Sequence, residues 1–379
     1  MVDTYLPEHI SLPAELGAPA GLFQLNPFSE QVAFAEFAAH FHRREFSSQA
    51  SFGIRRLLPP AMLAPEGLAV VREVTHAAGR RLLHLEDPGR AAVIIEAQRA
   101  QTRVMIAGAD HETVGGLWRE IRARAAAALD SEGFVPCQLW SSTGNGATAQ
   151  DHEVPAVQWA EVRRNYARQT AQTMDWLVGL KTPTDTRGRL LLWHGPAGTG
   201  KTTAATSLMT EWLSWCDTHI VTDPERFFMA PDYLMEVSRR NGQLGMEQSL
   251  PRMGAPWPKL WKLIVCEDAD EYLRSDARQR SGPALGRLLN LTDGLMGRGS
   301  DTIVLLTTND EVGRLHPAVT RPGRCLAAVE FPSLNSSESA AWCPPGVTPP
   351  ANGATLAELF ALTSGGKTTF ESHTTGLYL

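Results

Sequence analysis

The residues best suited to chemistry form the run Gly195-Pro196-Ala197-Gly198-Thr199-Gly200-Lys201-Thr202, followed by Thr203. The spacing is G-x-x-x-x-G-K-T. It lies between an apolar strand pattern, Leu190-Leu191-Leu192-Trp193-His194, and a segment from Thr203 to Trp215 that reads as a helix. Glycines let the backbone turn tightly enough for successive N–H groups to converge on phosphate oxygens, and the helix N-terminus adds partial positive charge. In such a loop the Lys201 ammonium bridges phosphate oxygens and the Thr202 hydroxyl ligates Mg²⁺. The competing reading is a glycine turn that binds nothing, and the strand before and helix after weigh against it.

Hydrolysis at such a loop needs a second strand ending in carboxylates, which hold the metal's shell and orient the attacking water. Leu263-Ile264-Val265-Cys266 is that strand, and Glu267-Asp268 stand at its end, with Asp270 and Glu271 just beyond. The usual order is Asp for the metal and then Glu for the water; here it is inverted. Shifting the frame to Asp270-Glu271 restores the order but puts two charges inside the strand, so Glu267 and Asp268 are preferred. A third strand, Thr302 to Leu306, leads to Thr307-Thr308-Asn309, and the Asn309 side chain is placed to hold the water from the opposite side. Farther on, Arg321-Pro322-Gly323-Arg324 is poor helix material and suits a rigid turn presenting two guanidinium groups outward.

Taken in order, these residues resemble the AAA branch of the AAA+ ATPases. Gly195 to Thr202 matches Walker A, Leu263 to Asp268 Walker B, Asn309 sensor 1, and Arg321 with Arg324 the paired arginine fingers. Leu288 to Leu295 is similar to the helix that precedes sensor 1, and the whole resemblance runs from about Trp159 to Pro332. The Glu-Asp order resembles the subgroup containing the mitochondrial complex III assembly ATPases. The whole chain is similar to a group of actinobacterial AAA ATPases with an N-terminal α+β domain. The resemblance implies ATP and Mg²⁺ as ligands, with Thr202 and Glu267 at the metal. It also implies a homo-oligomeric ring, usually hexameric, in which Arg321 and Arg324 reach a neighbour's nucleotide. An aromatic loop that grips substrate is common in such rings, and Phe227-Phe228-Met229 is the candidate here, against a core-facing pair. His316 and Leu326 stand where acidic residues are frequent, and no second sensor is legible.

The elements that must position these groups follow from pattern. The expected fold is α/β: a P-loop core with a parallel central sheet and a reduced C-terminal lid, preceded by an α+β domain. Residues 1–60 read as irregular, with one amphipathic helix carrying Phe34, Phe37 and Phe41, which packs on a sheet in preference to binding a partner. Residues 61–155 read as an α+β domain for recognising a partner. It holds four short strands (68–76, 81–86, 91–97, 102–107), a helix from Asp110 to Leu129, and a turn or linker at Ser141 to Gly146. The ATPase core is 156–332, entered through a long helical pattern from Trp159 to Leu180. A short lid and tail, 333–379, contain one clear helix, Thr355 to Leu362.

Composition bounds the function. With 43% hydrophobic and 20% charged residues over 379 positions, neither a disordered nor a fibrous chain fits. Lys plus Arg total 35 against 41 Asp plus Glu, a net charge of -6, so there is no general excess of positive charge for a nucleic-acid backbone. The five scattered cysteines lack the close pairs of zinc or redox motifs. Met1 to Ile10 has neither a basic start nor an apolar stretch, and no run spans a bilayer. A cytoplasmic protein without membrane contact is expected. The leading function is a Mg-ATP-dependent ring ATPase that remodels an unknown protein partner. Its rival is a slow-turnover switch or scaffold whose assembly ATP governs, and a DNA-handling ATPase is disfavoured by the acidic balance.

Overall fold

Two kinds of apolar pattern give two kinds of sheet. The structure, a computed structural model, describes residues 46–54, 56–75, 79–98, 101–143, 146–181, 188–238, 261–270, 301–310 and 325–364, together with Ala33, Phe37, Ala39, Gly286 and Arg287. Described residues through Ala128 form one compact unit, and those from Leu129 onward form another.

In the first unit, β1 (Ser48–Ile54), β2 (Ala69–Thr75), β3 (Arg81–Asp87), β4 (Ala91–Gln98) and β5 (Gln101–Gly108) make an antiparallel sheet in the order β1-β5-β4-β3-β2. A one-turn helix α1 (Pro60–Leu63) and the long α2 (His111–Ser131) accompany it. Asp110 accepts the N–H of Thr113 at 2.7 Å, which anchors the start of α2 and holds the Asp110 carboxyl below its usual range. Central β4 is buried from Ala91 to Ala97 because both sheet faces are covered. One face packs Phe52 edge-on to Trp118 of α2 at 5.8 Å. The other packs Leu82, Ala92 and Ile94 beneath helical Ala33 and Phe37. The aromatic stripe thus meets a sheet at Phe37, while Phe34 and Phe41 lie outside the described residues. The expected strands and helix of this unit are present. β1 is an addition, in a stretch where Ser, Gln and Gly hide the apolar alternation.

The second unit is built on β6 (Phe134–Thr143), β7 (Gly146–Pro155), β8 (Leu190–His194), β9 (Cys216–Val221), β10 (Trp261–Cys266), β11 (Thr302–Thr308) and β12 (Cys325–Glu330). Their order is β12-β8-β11-β10-β9-β6-β7, parallel throughout except for the β6–β7 hairpin's outer strand. Strands β8, β10 and β11 are buried at every residue, as parallel strands covered on both faces must be. The hairpin corrects the boundary expected near 155. Cys137 to Trp140 pair in parallel with Thr218 to Val221, so residues 134–155 extend the sheet of the second unit. Thr143 pairs with Gly146 at the end of that hairpin, and the polar composition of Ser141 to Gly146 looks the same as a linker's.

The long helix expected from Trp159 to Leu180 is also corrected. It is α3 (Trp159–Val162), a 3₁₀ turn (Arg163–Asn165) and α4 (Arg168–Val178), interrupted where Tyr166 is extended. A side-chain clip holds the break: Asp175 accepts from the Trp159 indole at 2.8 Å and from two Arg163 nitrogens at 2.8 and 2.7 Å. After β8 come α5 (Lys201–Trp212), α6 (Pro224–Met229), α7 (Pro231–Ser238) and, beyond β12, α8 (Ser336–Trp342) and α9 (Leu356–Thr363). Capping boxes at Asn335/Glu338 and Thr355/Glu358 start the last two.

Phe227 and Phe228 lie in α6 at 0% and 1% exposure, packed with Tyr233, Val221, Ile264 and Leu306, so these two are core and not a gripping loop. Phe228→Ala is therefore expected to cost about 3–5 kcal/mol, as buried Phe truncations do. A melting curve of the full chain should fall by on the order of 10 °C; an unchanged midpoint would contradict core placement.

Candidate functional site

The site lies along the C-terminal ends of three neighbouring strands, the edge at which open α/β sheets bind ligands. β11 lies between β8 and β10, with Thr308 level with His194 and Leu306 level with Cys266. The loop leaving β8, the carboxylates leaving β10 and the asparagine leaving β11 therefore meet without any long connection.

The loop's shape depends on its glycines. Gly195, Gly198 and Gly200 have φ of 140°, 78° and 88°, where side chains are strained. At Gly195 a Cβ would also collide with the carbonyl of Phe331, whose N–H donates to the His194 carbonyl at 2.8 Å. The Thr199 hydroxyl closes the turn on the Pro196 carbonyl at 2.8 Å, leaving Pro196, Ala197 and Gly198 exposed at the loop's crest. α5 then begins at Lys201, with Thr202 and Thr203 exposed on its first turn.

Lys201 is largely buried, and its ammonium donates to Gly195 O at 2.7 Å, Pro196 O at 3.0 Å and Asn309 Oδ1 at 2.8 Å. Burial draws its pKa below the ordinary lysine value, while the negative charges of Asp268, Asp270 and Glu267 push the other way. The Thr202 hydroxyl donates to Glu267 Oε1 at 2.6 Å. Asp268 faces elsewhere: its Oδ1 is 3.3 Å from the Asn309 Nδ2. The two acids diverge because Asp268 has φ 51°, the one non-glycine positive φ among the described residues. Asp tolerates that left-handed backbone better than most side chains.

Several neighbours of this site are invisible to motif reading. The Tyr166 hydroxyl donates to Gly200 O at 3.0 Å, and its ring stacks on Trp159 at 5.3 Å and meets Phe331 edge-on at 5.7 Å. Burial raises the Tyr166 hydroxyl's pKa, so it stays a donor. The N-terminus of α9 also reaches the loop: the Ala357 N–H donates to Gly198 O at 3.0 Å, and a Cβ on Gly200 would stand 3.0 Å from Leu356 Cδ1. No spacing rule connects positions this far apart, although the Thr355–Glu358 capping box marks where α9 begins. Asp270 accepts from the Asn309 N–H at 2.7 Å and does not contact Thr202; the frame starting at Glu267 is the one that reaches the helix. Arg321, Arg324, His316 and Leu288 to Leu295 lie outside the described residues.

Residues 191–333 match the family model of the ATPase family associated with various cellular activities (AAA). Residues 34–179 match a domain of unknown function, DUF5925, so that match runs through the first unit and into the β6–β7 hairpin and α4. No curated protein matches the chain. The second unit carries an AAA-family ATPase domain, and the chain is an α/β protein with an antiparallel-sheet domain before it. Among the described residues no helix is long and apolar enough to cross a membrane.

The close approach at Gly195 is testable. Gly195→Ala must displace the Phe331 carbonyl and adopt a φ that alanine avoids, so a lower melting temperature and at least a tenfold loss in affinity for a fluorescent ATP analogue are expected. Gly116→Ala, within α2 and with nothing within 4 Å of the added methyl, serves as the control; it should be neutral or stabilise by up to about 1 kcal/mol. Equal behaviour of the two variants would contradict the steric argument.

Proposed function

We propose that the chain is a Mg²⁺-dependent ATP hydrolase that works as a homo-oligomeric ring and remodels a protein partner engaged through the N-terminal domain. The observation that carries the reading is the division of labour between the two acids. Glu267 shares a hydrogen bond with Thr202 on the first turn of α5, whereas Asp268 turns toward Asn309. A hydroxyl and a carboxylate are hard oxygen donors, the set that suits Mg²⁺, which usually takes one or two protein oxygens together with substrate phosphates. When bound there, the ion neutralises charge on the β- and γ-phosphate oxygens.

The chain's own groups supply the remainder. The loop N–H groups and the Lys201 ammonium, now on Gly195 O and Pro196 O, take the phosphate oxygens. The Asn309 amide and the Asp268 carboxylate hold the attacking water between them. As the water oxygen bonds to the γ-phosphorus and the bond to the ADP oxygen breaks, Asp268 accepts the water's proton. An inverted acid order costs a methylene at the water-orienting position, and the left-handed backbone at Asp268 re-aims the shorter arm. The same order marks the complex III assembly subgroup, which supports a parallel with that subgroup. Arg321 and Arg324, which precede β12 in the sequence, are assigned to the neighbouring subunit's nucleotide, where they stabilise charge on the transferring phosphoryl group. The exposed family trait that follows is ATPase activity that rises with assembly.

The second reading is a nucleotide-governed scaffold with near-background turnover, favoured by the short Asp268 side chain. Steady-state turnover of the assembled form separates the two. For the enzyme reading, Asp268→Asn should retain ATP and lower kcat by roughly 10²- to 10⁴-fold, the range of general-base removal. Arg324→Ala should bind ATP normally yet hydrolyse it about 10³-fold more slowly or worse, with activity restored in mixtures that place wild-type Arg324 beside a variant subunit's nucleotide. Full activity of Arg324→Ala as an assembled ring would end the trans-arginine proposal. Wild-type turnover indistinguishable from background would favour the scaffold.

A further inference from the structure

The carboxylate that neither acid role uses is Asp270. It lies two residues beyond Asp268, just after β10, and it is half-buried. One oxygen, Oδ1, takes two donors from the end of β11: the Thr308 hydroxyl, and the Asn309 backbone N–H at 2.7 Å. Thr308 Oγ1 in turn accepts the N–H of Asp310 at 3.1 Å. The stitching also runs the other way. Thr307 Oγ1 accepts the Asp268 N–H at 3.1 Å, and the Thr307 carbonyl accepts the Ala269 N–H at 2.9 Å. Two loops that leave adjacent parallel strands are therefore tied by four hydrogen bonds across a gap the sheet ladder no longer spans.

From this geometry we infer that Asp270 is a positioning residue for hydrolysis: it fixes the backbone of Asn309 so that the Asn309 amide faces Asp268 and Lys201 at once. The inference rests on the ATPase reading above. Asn309 is exposed and its side chain sits 3.3 Å from Asp268 Oδ1 and 2.8 Å from the Lys201 ammonium, so among the described residues polar contacts and not burial hold it there. Its orientation depends on the backbone it hangs from. A carboxylate accepting an N–H and a hydroxyl makes charge-assisted bonds, about twice as strong as neutral ones. Asp270 reaches neither Thr202 nor Lys201 by hydrogen bond among the described contacts, which separates its role from that of Glu267. Displacing a reacting or water-holding group by about 1 Å costs on the order of 10²-fold in rate.

Two variants of the full chain and two readouts test the proposal. Asp270→Ala removes the acceptor; Asp270→Asn keeps a side-chain oxygen that can accept both donors. In steady-state assays of the assembled protein, Asp270→Ala should lower kcat by roughly 10- to 100-fold, with KM for ATP and the affinity for a fluorescent ATP analogue within about twofold of wild type. Asp270→Asn should recover most of the lost kcat. The second readout does not need turnover. With selective ¹⁵N-asparagine labelling, the Asn309 backbone resonance, identified by its loss in Asn309→Ala, should shift in Asp270→Ala and stay near its wild-type position in Asp270→Asn. An unshifted resonance in Asp270→Ala, a parallel loss of nucleotide affinity, or an Asp270→Asn variant as slow as Asp270→Ala overturns the inference. A wild type without turnover overturns the ATPase reading and the catalytic part of this one, and the resonance shift still shows whether Asp270 anchors Asn309.

Discussion

A buried ammonium must be surrounded by oxygen, and in this protein that requirement organises everything near the sheet's C-terminal edge. Lys201 is satisfied by two carbonyls of its own loop and one side-chain oxygen from the end of the adjacent strand. The carbonyls point inward only because the loop's glycines accept positive φ. The side-chain oxygen is in reach only because β11 lies between β8 and β10. Desolvation draws the Lys201 pKa down, and the three carboxylates nearby oppose it. The ammonium proposed to meet a triphosphate is thus supported by the protein's own acids, and two of them, Glu267 and Asp268, are the groups proposed for metal and water.

Much of this was legible in the sequence because the pattern and the chemistry coincide there. Leu190 to His194, Leu263 to Cys266 and Thr302 to Thr308 are fully buried strands, and full burial leaves an uninterrupted apolar run that cannot be confused with an exposed hairpin. Each runs directly into a candidate site residue, so finding the strand also finds Gly195, Glu267 and Asn309. The β6–β7 hairpin was hidden for the opposite reason. β7 is an exposed outer strand whose Gln150, Asp151, His152 and Glu153 carry no alternation to read, and Ser141 to Gly146 has the composition of a linker. Polar outer strands satisfy one side of their backbone and solvate the other, which needs no apolar signature.

Tyr166 and Asp270 mark a deeper limit. Tyr166 breaks a helical pattern because its hydroxyl and ring are used by Gly200, Trp159 and Phe331, contacts set by tertiary packing and not by local propensity. In the sequence Asp270 offers only an alternative frame for the acid pair, and its partners appear only once two strand ends are placed side by side. Spacing shows which groups could react; the groups that aim them are fixed by three-dimensional neighbours with no sequence interval of their own.

The support beneath the phosphate loop has a bearing on how the chain is made. Thr170 of α4 donates to the Glu330 carbonyl across 160 residues, and the Arg168 N–H reaches Glu338 across 170. Gly195 is roofed by Phe331, and Gly198 is bonded to Ala357. During synthesis the loop thus emerges long before the residues that brace it, and at roughly 5–20 residues per second the wait is on the order of ten seconds or more. Loop closure of this length is slow and late compared with local helix formation. A nascent chain stopped short of β12 carries the Gly195 to Thr202 loop without a roof, and that loop is braced only as β12 and the helices after it arrive.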